Sequence, residues 1–186
     1  MKNLSRCKVC GYIMETDQIQ DLCPACGLPA KVFEPYSPTM SEERFKLLSL
    51  HMHPIILHFP QAFVVTALGM LILGLMFTGA LQQQILLIAK FNVVFLPPLV
   101  LVGALSGMKD GQLRFKKITT PVLKYKMILS AAFFGLSVLA AILAMVLPLT
   151  PSTILILAVL MMVSSLIAVV LGRTGAKLMD SFMPGK

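Results

Sequence analysis

The chain contains few charged residues for its length. Only 13% of its 186 residues are charged, whereas about a quarter are charged in an ordinary soluble domain. Apolar residues make up 57% of the chain, which excludes a disordered protein because disorder requires low hydrophobicity and high charge. The net charge of +8 forms no basic stripe on a soluble face, so we expect no nucleic-acid partner. This composition is typical of a membrane protein.

Acidic residues are almost absent from the apolar part of the chain. Residues 1–53 hold six basic and six acidic residues, whereas residues 54–186 hold ten basic and only two acidic ones. Cysteine is absent after residue 26, and histidine is absent outside residues 51–58. No serine or cysteine accompanies a base in a hydrolytic arrangement, so nothing in the sequence indicates hydrolytic catalysis.

Four apolar segments, each about 20 residues long, have the length needed to cross a bilayer core. Lipid cannot hydrogen-bond the backbone, so each segment should be helical. The sequence therefore predicts a transmembrane four-helix bundle over residues 54–172, and the lipid bilayer is an expected partner. Pro97-Pro98 should kink or unwind the second span. The four predicted spans are 54–77, 86–108, 127–147 and 153–172.

The distribution of lysine and arginine predicts the orientation of these spans. The loop after the second span and the tail 173–186 are basic, whereas the other two loops carry no charge. We therefore expect both termini to be cytoplasmic, in the inner membrane of a bacterium or archaeon. The polar first 20 residues predict no signal peptide. The basic residues are Lys109, Arg114, Lys116, Lys117, Lys124 and Lys126 in the loop, and Arg173, Lys177 and Lys186 in the tail.

Residues 1–36 contain two matching knuckles, in which a C-x-x-C pair is followed by glycine. The cysteines are Cys7, Cys10, Cys23 and Cys26. Four thiolates in two such pairs build a tetrahedral site for zinc or a single iron. Gly11 and Gly27 should permit the positive φ that such a turn requires. A disulfide framework is the alternative, and the expected cytosolic location disfavours it.

The segment Arg6–Tyr36 resembles the rubredoxin-like domain found at the end of rubrerythrins. The resemblance includes Gly11-Tyr12-Ile13 after the first knuckle and Val32-Phe33-Glu34 after the second. It implies a single iron held by the four cysteines, one-electron transfer, and an apolar cap formed by Tyr12 and Phe33. An aromatic residue is common just before the first knuckle in that family, but Ser5-Arg6 stand there in this chain. Zinc stays open as the alternative metal.

The three histidines lie together where the linker and interfacial segment (residues 37–53) meets the first span. Ionisable groups at a membrane span are candidate functional residues. The pattern His-Pro-x-x-x-His-Phe-Pro, beginning at His53, resembles a motif of a family of small four-helix bacterial membrane proteins whose activity is not established. That resemblance implies the fold of the helical part and no activity.

Three interpretations of His51, His53 and His58 are open. One is a b-type haem on His58 or His53, whose second axial ligand would be a methionine such as Met108 or Met127, or would come from another protomer. A second is a quinone site near the membrane surface, and a third is a structural role. Asp110 could pair with a histidine to steer protons, or with a lysine of the basic loop.

Together these features predict a membrane-anchored electron carrier of the rubredoxin type. Its metal would exchange single electrons with a soluble redox partner, and haem b or a quinone near His58 would be a second partner inside the membrane. The alternative is a zinc-ribbon membrane protein that acts as a non-redox interaction module. The oligomeric state is open, a homo-oligomer included.

Overall fold

The computed structural model describes residues 3–37 and 41–180, and only the backbone of Glu42, Met179 and Asp180. Part of the predicted linker (residues 38–40) and the end of the predicted tail (residues 181–186) lie outside the described residues. The chain divides into two compact units. One is built around the amino-terminal strands, and the other comprises His51–Thr174.

The amino-terminal unit contains a small antiparallel sheet. Its strands are β1 (Leu4–Cys7), β2 (Ile13–Glu15) and β3 (Phe33–Tyr36), in the order β2-β1-β3. In this register Cys7 of β1 lies opposite Phe33 of β3, so the central strand carries the first cysteine. Short 3-10 turns at Thr16–Gln18 and Ala30–Val32 follow β2 and precede β3.

Helix α1 (Glu42–Ser49) belongs to the amino-terminal unit, and the second unit is helical. It comprises α2 (Met52–Met76), α3 (Gly79–Phe115), α4 (Pro121–Val146) and the part of α5 (Pro151–Asp180) that precedes Gly175. At about 1.5 Å of rise per residue, each exceeds a hydrocarbon core of about 30 Å. All four are long and apolar enough to cross a membrane, so the predicted fold class, a small metal knuckle followed by four apolar helices, is confirmed.

Local sequence determines where the helices begin and end. Thr120 precedes α4, its hydroxyl accepts a hydrogen bond from the Leu123 N–H, and Pro121 occupies the first turn, as expected for a capped start. Thr150 plays the same role before α5, where its hydroxyl accepts from the Thr153 N–H. Helix α3 ends at Phe115, and Lys116, the next residue, adopts a left-handed conformation with φ of 56°.

Helices α2 and α3 pack antiparallel along their whole length. A β-carbon on Gly74 would overlap Leu86, one on Gly103 would lie 3.3 Å from Leu57, and one on Gly107 would lie 2.8 Å from His53. Glycine is therefore required where the two backbones approach most closely. Buried alanines and branched residues complete the core, among them Ala67, Leu71, Ala89, Val93, Ala140, Ala144, Leu157 and Met161.

Helix α3 departs from the sequence-based expectation in two ways. It continues as helix through Pro97 and Pro98, so the expected unwinding does not occur. It also runs to Phe115, beyond the predicted end at residue 108. Of the predicted basic loop, Lys109 and Arg114 lie in α3, Lys124 and Lys126 lie in α4, and only Lys116 and Lys117 lie in the connection.

Candidate metal centre and the histidine segment

The two knuckles have the same backbone hydrogen bonds. In the first, the Gly11 N–H donates to the Cys7 carbonyl at 2.9 Å, and in the second, the Gly27 N–H donates to the Cys23 carbonyl at 2.8 Å. Both glycines have positive φ, 77° and 70°. The sequence expectation for these glycines is therefore met, because each turn requires a backbone conformation that other residues adopt only with strain.

The four sulfur atoms converge at one point. All four sulfur atoms lie within 4.8 Å of one another. The Cys7–Cys26 and Cys10–Cys23 sulfur pairs are each 3.8 Å apart. Four sulfurs bound about 2.3 Å from a central ion in a tetrahedron would be about 3.8 Å apart. The donor set and its spacing therefore fit a single tetrahedral metal ion.

Backbone N–H groups of the knuckles point at the sulfurs. Each first cysteine receives two such hydrogen bonds, and each second cysteine receives one. Donors of this kind stabilise thiolate charge and tune a bound metal. The donors are Val9 and Cys10 to Cys7, Tyr12 to Cys10, Ala25 and Cys26 to Cys23, and Leu28 to Cys26.

The thiols differ in the direction of their pKa shift, which is lowered for Cys7 and Cys23 and raised for Cys10 and Cys26. The N–H groups of Cys10 and Val9 outweigh burial and lower the pKa of Cys7 to about 7. Burial opposes ionisation of Cys23, but the N–H groups of Cys26 and Ala25 outweigh it and lower its pKa. The Tyr12 N–H favours the Cys10 thiolate, yet burial and the adjacent sulfurs together raise the pKa of Cys10 to about 12. Four thiolates so close together require a cation between them.

One cysteine of each pair is buried and the other reaches the surface. Cys7 and Cys23 are 0% and 2% exposed, whereas Cys10 is half-buried and Cys26 is exposed. Tyr12 is 43% exposed, and its backbone N–H donates to the Cys10 sulfur. Phe33 is half-buried beside Cys7 in the sheet.

Ser5 and Arg6, which precede the first knuckle on β1, both make polar contacts. The Arg6 guanidinium donates to the Glu34 carboxylate at 2.5 Å across the sheet, and it lies 5.4 Å from the centre of the Tyr36 ring. Ser5 is 4% exposed, and its hydroxyl hydrogen-bonds to Thr16 at 2.8 Å. These contacts occupy the place where the rubrerythrin-type domain commonly carries an aromatic residue.

The histidines have three different environments within the helical unit. His51 precedes α2 in a left-handed conformation with φ of 50°, so it does not share a helical face with His58. His53 is half-buried, and its Nδ1 lies 2.9 Å from the Ser106 hydroxyl. His58 is exposed on α2. The structure thus places His53 inside the bundle and His58 on its surface.

Asp110 pairs with an arginine of its own helix. The Arg114 Nε donates to its carboxylate at 2.7 Å, one turn along α3. Sequence analysis expected a histidine or a lysine as the partner of Asp110 and did not name Arg114 in that role. Sequence analysis also did not select Ser106, because nothing in the sequence shows that this serine faces α2.

Comparison with known families identifies the amino-terminal unit alone. Residues 6–34 match the family described as the rubredoxin-like domain of rubrerythrin. No curated protein and no solved structure matches the chain. The sequence match, the paired knuckles and the converging sulfurs agree, and residues 6–34 of this chain form a rubredoxin-like domain with a four-cysteine metal site.

Proposed function

We propose that the protein is a membrane-anchored, rubredoxin-type carrier of single electrons. The observation that carries the proposal is the occurrence, on one chain, of a rubredoxin-like four-cysteine centre and four helices able to cross a membrane. A carrier confined to a membrane surface can exchange electrons with soluble partners while it stays close to membrane-bound ones.

Cys7, Cys10, Cys23 and Cys26 would hold one iron ion, which supplies one-electron chemistry when bound. The chain's own contribution is electrostatic. Six backbone N–H groups direct their positive ends at the sulfurs, so they offset the negative charge of four thiolates in either oxidation state of the metal. A pre-arranged shell of this kind needs little rearrangement when the charge of the centre changes by one.

The surface beside the exposed sulfurs is suited to a soluble redox partner. Val9, next to Cys10, is 62% exposed, and Leu22 and Leu28, on either side of the second knuckle, are 56% and 37% exposed. An apolar surface over the exposed cysteines lets a partner approach the sulfur edge without desolvating charges. This arrangement supports the short transfer distance that an electron carrier needs.

We further propose that the basic end of the helical unit faces the cytoplasm of a bacterium or archaeon, as do both chain termini. The connection from Lys116 to Thr120 joins α3 and α4 at the end that carries the lysines and arginines, whereas the connections at 77–78 and 147–150 hold no charge. The positive-inside rule supports this orientation. Reporter fusions tested in whole cells should give cytoplasmic signals at residue 117 and external signals at residue 78, and the reverse pattern would contradict it.

The decisive experiment is a metal assay of the full chain, purified in detergent from iron-replete cells, with absorption spectra before and after dithionite. We expect one iron per chain, a visible absorption that bleaches on reduction, and its return when a one-electron oxidant such as ferricyanide is added. The Cys23→Ser variant should lose both the iron and the colour. A colourless protein with one zinc would contradict the carrier and favour the zinc-dependent interaction module.

A further inference from the structure

A cavity of about 320 Å³ lies among the helices of the second unit. It is located where α2 and α4 begin and where α3 and α5 end, and its volume falls in the range of small-ligand sites. Most of its lining is apolar, with Leu57, Val100, Phe133 and Leu171 among the lining residues. Its polar lining residues are His53, Gln61, Lys126 and Ser130. An apolar chamber with a few polar groups in its lining fits an amphiphilic molecule.

Glycine creates the space beside the histidine. Gly103, Gly107 and Gly111 lie along one side of α3 and line the cavity. A β-carbon on Gly107 would stand 2.8 Å from His53 Cε1 and 3.2 Å from its Nε2. The imidazole therefore occupies the volume that a side chain at position 107 would fill, and its orientation depends on that glycine.

Hydrogen bonds assign the position of the imidazole proton. The Ser106 hydroxyl donates its only proton to the Gly103 carbonyl at 2.8 Å. Its oxygen can then only accept from His53 Nδ1, which lies 2.9 Å away, so Nδ1 carries the hydrogen. In the neutral imidazole this leaves Nε2 as a hydrogen-bond acceptor. No other described side chain has a hydrogen bond to this ring.

These groups together favour a ligand with a hydroxyl group and a second polar oxygen. Nε2 of His53 accepts from a hydroxyl, and the ammonium group of Lys126 donates to an oxygen. Lys126 is the only cation among the described lining residues, which disfavours a doubly charged phosphate headgroup. A hydroquinone ring with an isoprenoid tail presents a hydroxyl, a second oxygen and an apolar body.

We propose that the cavity binds the headgroup of a membrane quinol, whose hydroxyl donates to His53 Nε2 while Lys126 donates to the opposite oxygen. The reduced form is favoured over the oxidised quinone, because a quinone carbonyl has no proton to give to Nε2. This proposal depends on the proposed electron carrier only for the use made of the quinol, since binding is measured without electron transfer.

The test is a binding titration of the full chain in detergent with a short-tailed 1,4-naphthoquinol kept reduced. The chain contains no tryptophan, so the ligand's own fluorescence reports binding without an indole background. We expect tighter binding of the quinol than of the quinone, and at least a tenfold weaker quinol affinity in His53→Leu. The His58→Leu variant, altered on the exposed surface of the same helix, should retain the affinity of the unaltered chain.

A second variant separates the hydrogen-bond argument from simple misfolding. Ser106→Ala removes the acceptor that fixes the Nδ1 proton, so we expect the preference for quinol over quinone to shrink several-fold while the helical unit still melts as before. Several outcomes would overturn the proposal: no quinol binding to the unaltered chain, equal losses in His53→Leu and His58→Leu, a co-purifying phospholipid that the quinol cannot displace, or a Soret band showing haem in the cavity. None of these outcomes bears on the metal content of the cysteine site, which tests the proposed carrier separately.

Discussion

Gly107 of α3 and His53 of α2 form the closest contact between a glycine and a polar side chain in the described part of the bundle, with 2.8 Å between a β-carbon placed on Gly107 and His53 Cε1. The contact joins the first turn of one helix to the last turns of its antiparallel neighbour. It couples helix packing to the position of the histidine, so a change in either residue should affect the other.

Substitution of Gly107 should therefore be costly. In Gly107→Ala we expect a loss of about 1–3 kcal/mol in the stability of the helical unit, typical of overpacking, together with displacement of the imidazole. The Gly69→Ala variant in α2 is the matched control, because a β-carbon there meets nothing within 4 Å. Thermal denaturation in detergent measures both, and equal melting of the two variants would contradict the close contact.

Removal of the metal should unfold one unit and spare the other. A strong chelator, or the Cys23→Ser variant, is expected to abolish the structure of the strand unit, because so small a unit has little apolar core of its own. The helical unit contains no cysteine and should keep its melting temperature. Hydrogen exchange on the full chain distinguishes the two units, and loss of protection in α2 and α3 after chelation would show that they do not fold independently.

Replacement of Gly27 tests whether the second knuckle requires a residue with positive φ. A β-carbon there has nothing within 4 Å, and φ is 70°, so the cost of Gly27→Ala should be conformational, about 1–2 kcal/mol. Gly27→Asn should cost less, since asparagine adopts this conformation more readily. The rate of metal release to a chelator measures the effect. Faster release from the asparagine variant than from the alanine variant would contradict the argument.

The Asp110–Arg114 pair should contribute modestly to stability. Its side chains are 22% and 11% exposed, and ion pairs of this spacing on a helix contribute about 0.5 kcal/mol, or somewhat more when partly buried. We expect Asp110→Asn to lower the stability of the helical unit by about 0.5–1 kcal/mol, less at high salt. The Lys117→Gln variant in the α3–α4 connection serves as the control. A loss above that of this control at low salt is the expected result, and no difference would contradict it.

The cysteine site was predictable because its chemistry is encoded locally. The spacing of Cys7, Cys10, Cys23 and Cys26 and the two glycines at Gly11 and Gly27 impose the same turn twice, whatever the rest of the chain does. The number of long apolar helices was predictable for a similar reason, since the length of the apolar segments alone decides it.

The histidine site was not predictable in the same way. His53 and His58 are five residues apart, which places them about 140° apart around a helix, and only the rotation of α2 against α3 determines which one points inward. That rotation is determined by the close packing of Gly103 and Gly107. The spacing of Gly103 and Gly107 is typical of close helix packing, but it does not relate these glycines to a particular histidine. The continuity of α3 through Pro97 and Pro98 likewise depends on packing, because neighbouring helices can stabilise a helix that proline would weaken.

The uncharged connections at residues 77–78 and 147–150 also bear on how the protein enters the membrane. A lysine or aspartate at the centre of a membrane span costs about 3 kcal/mol on insertion scales, and neither connection holds such a residue. The α2–α3 pair and the α4–α5 pair can therefore each be inserted as a hairpin, with no charge carried through the lipid at its tip. We therefore expect the helical unit to enter the membrane as two hairpins, with the basic connection between them staying on the side of synthesis.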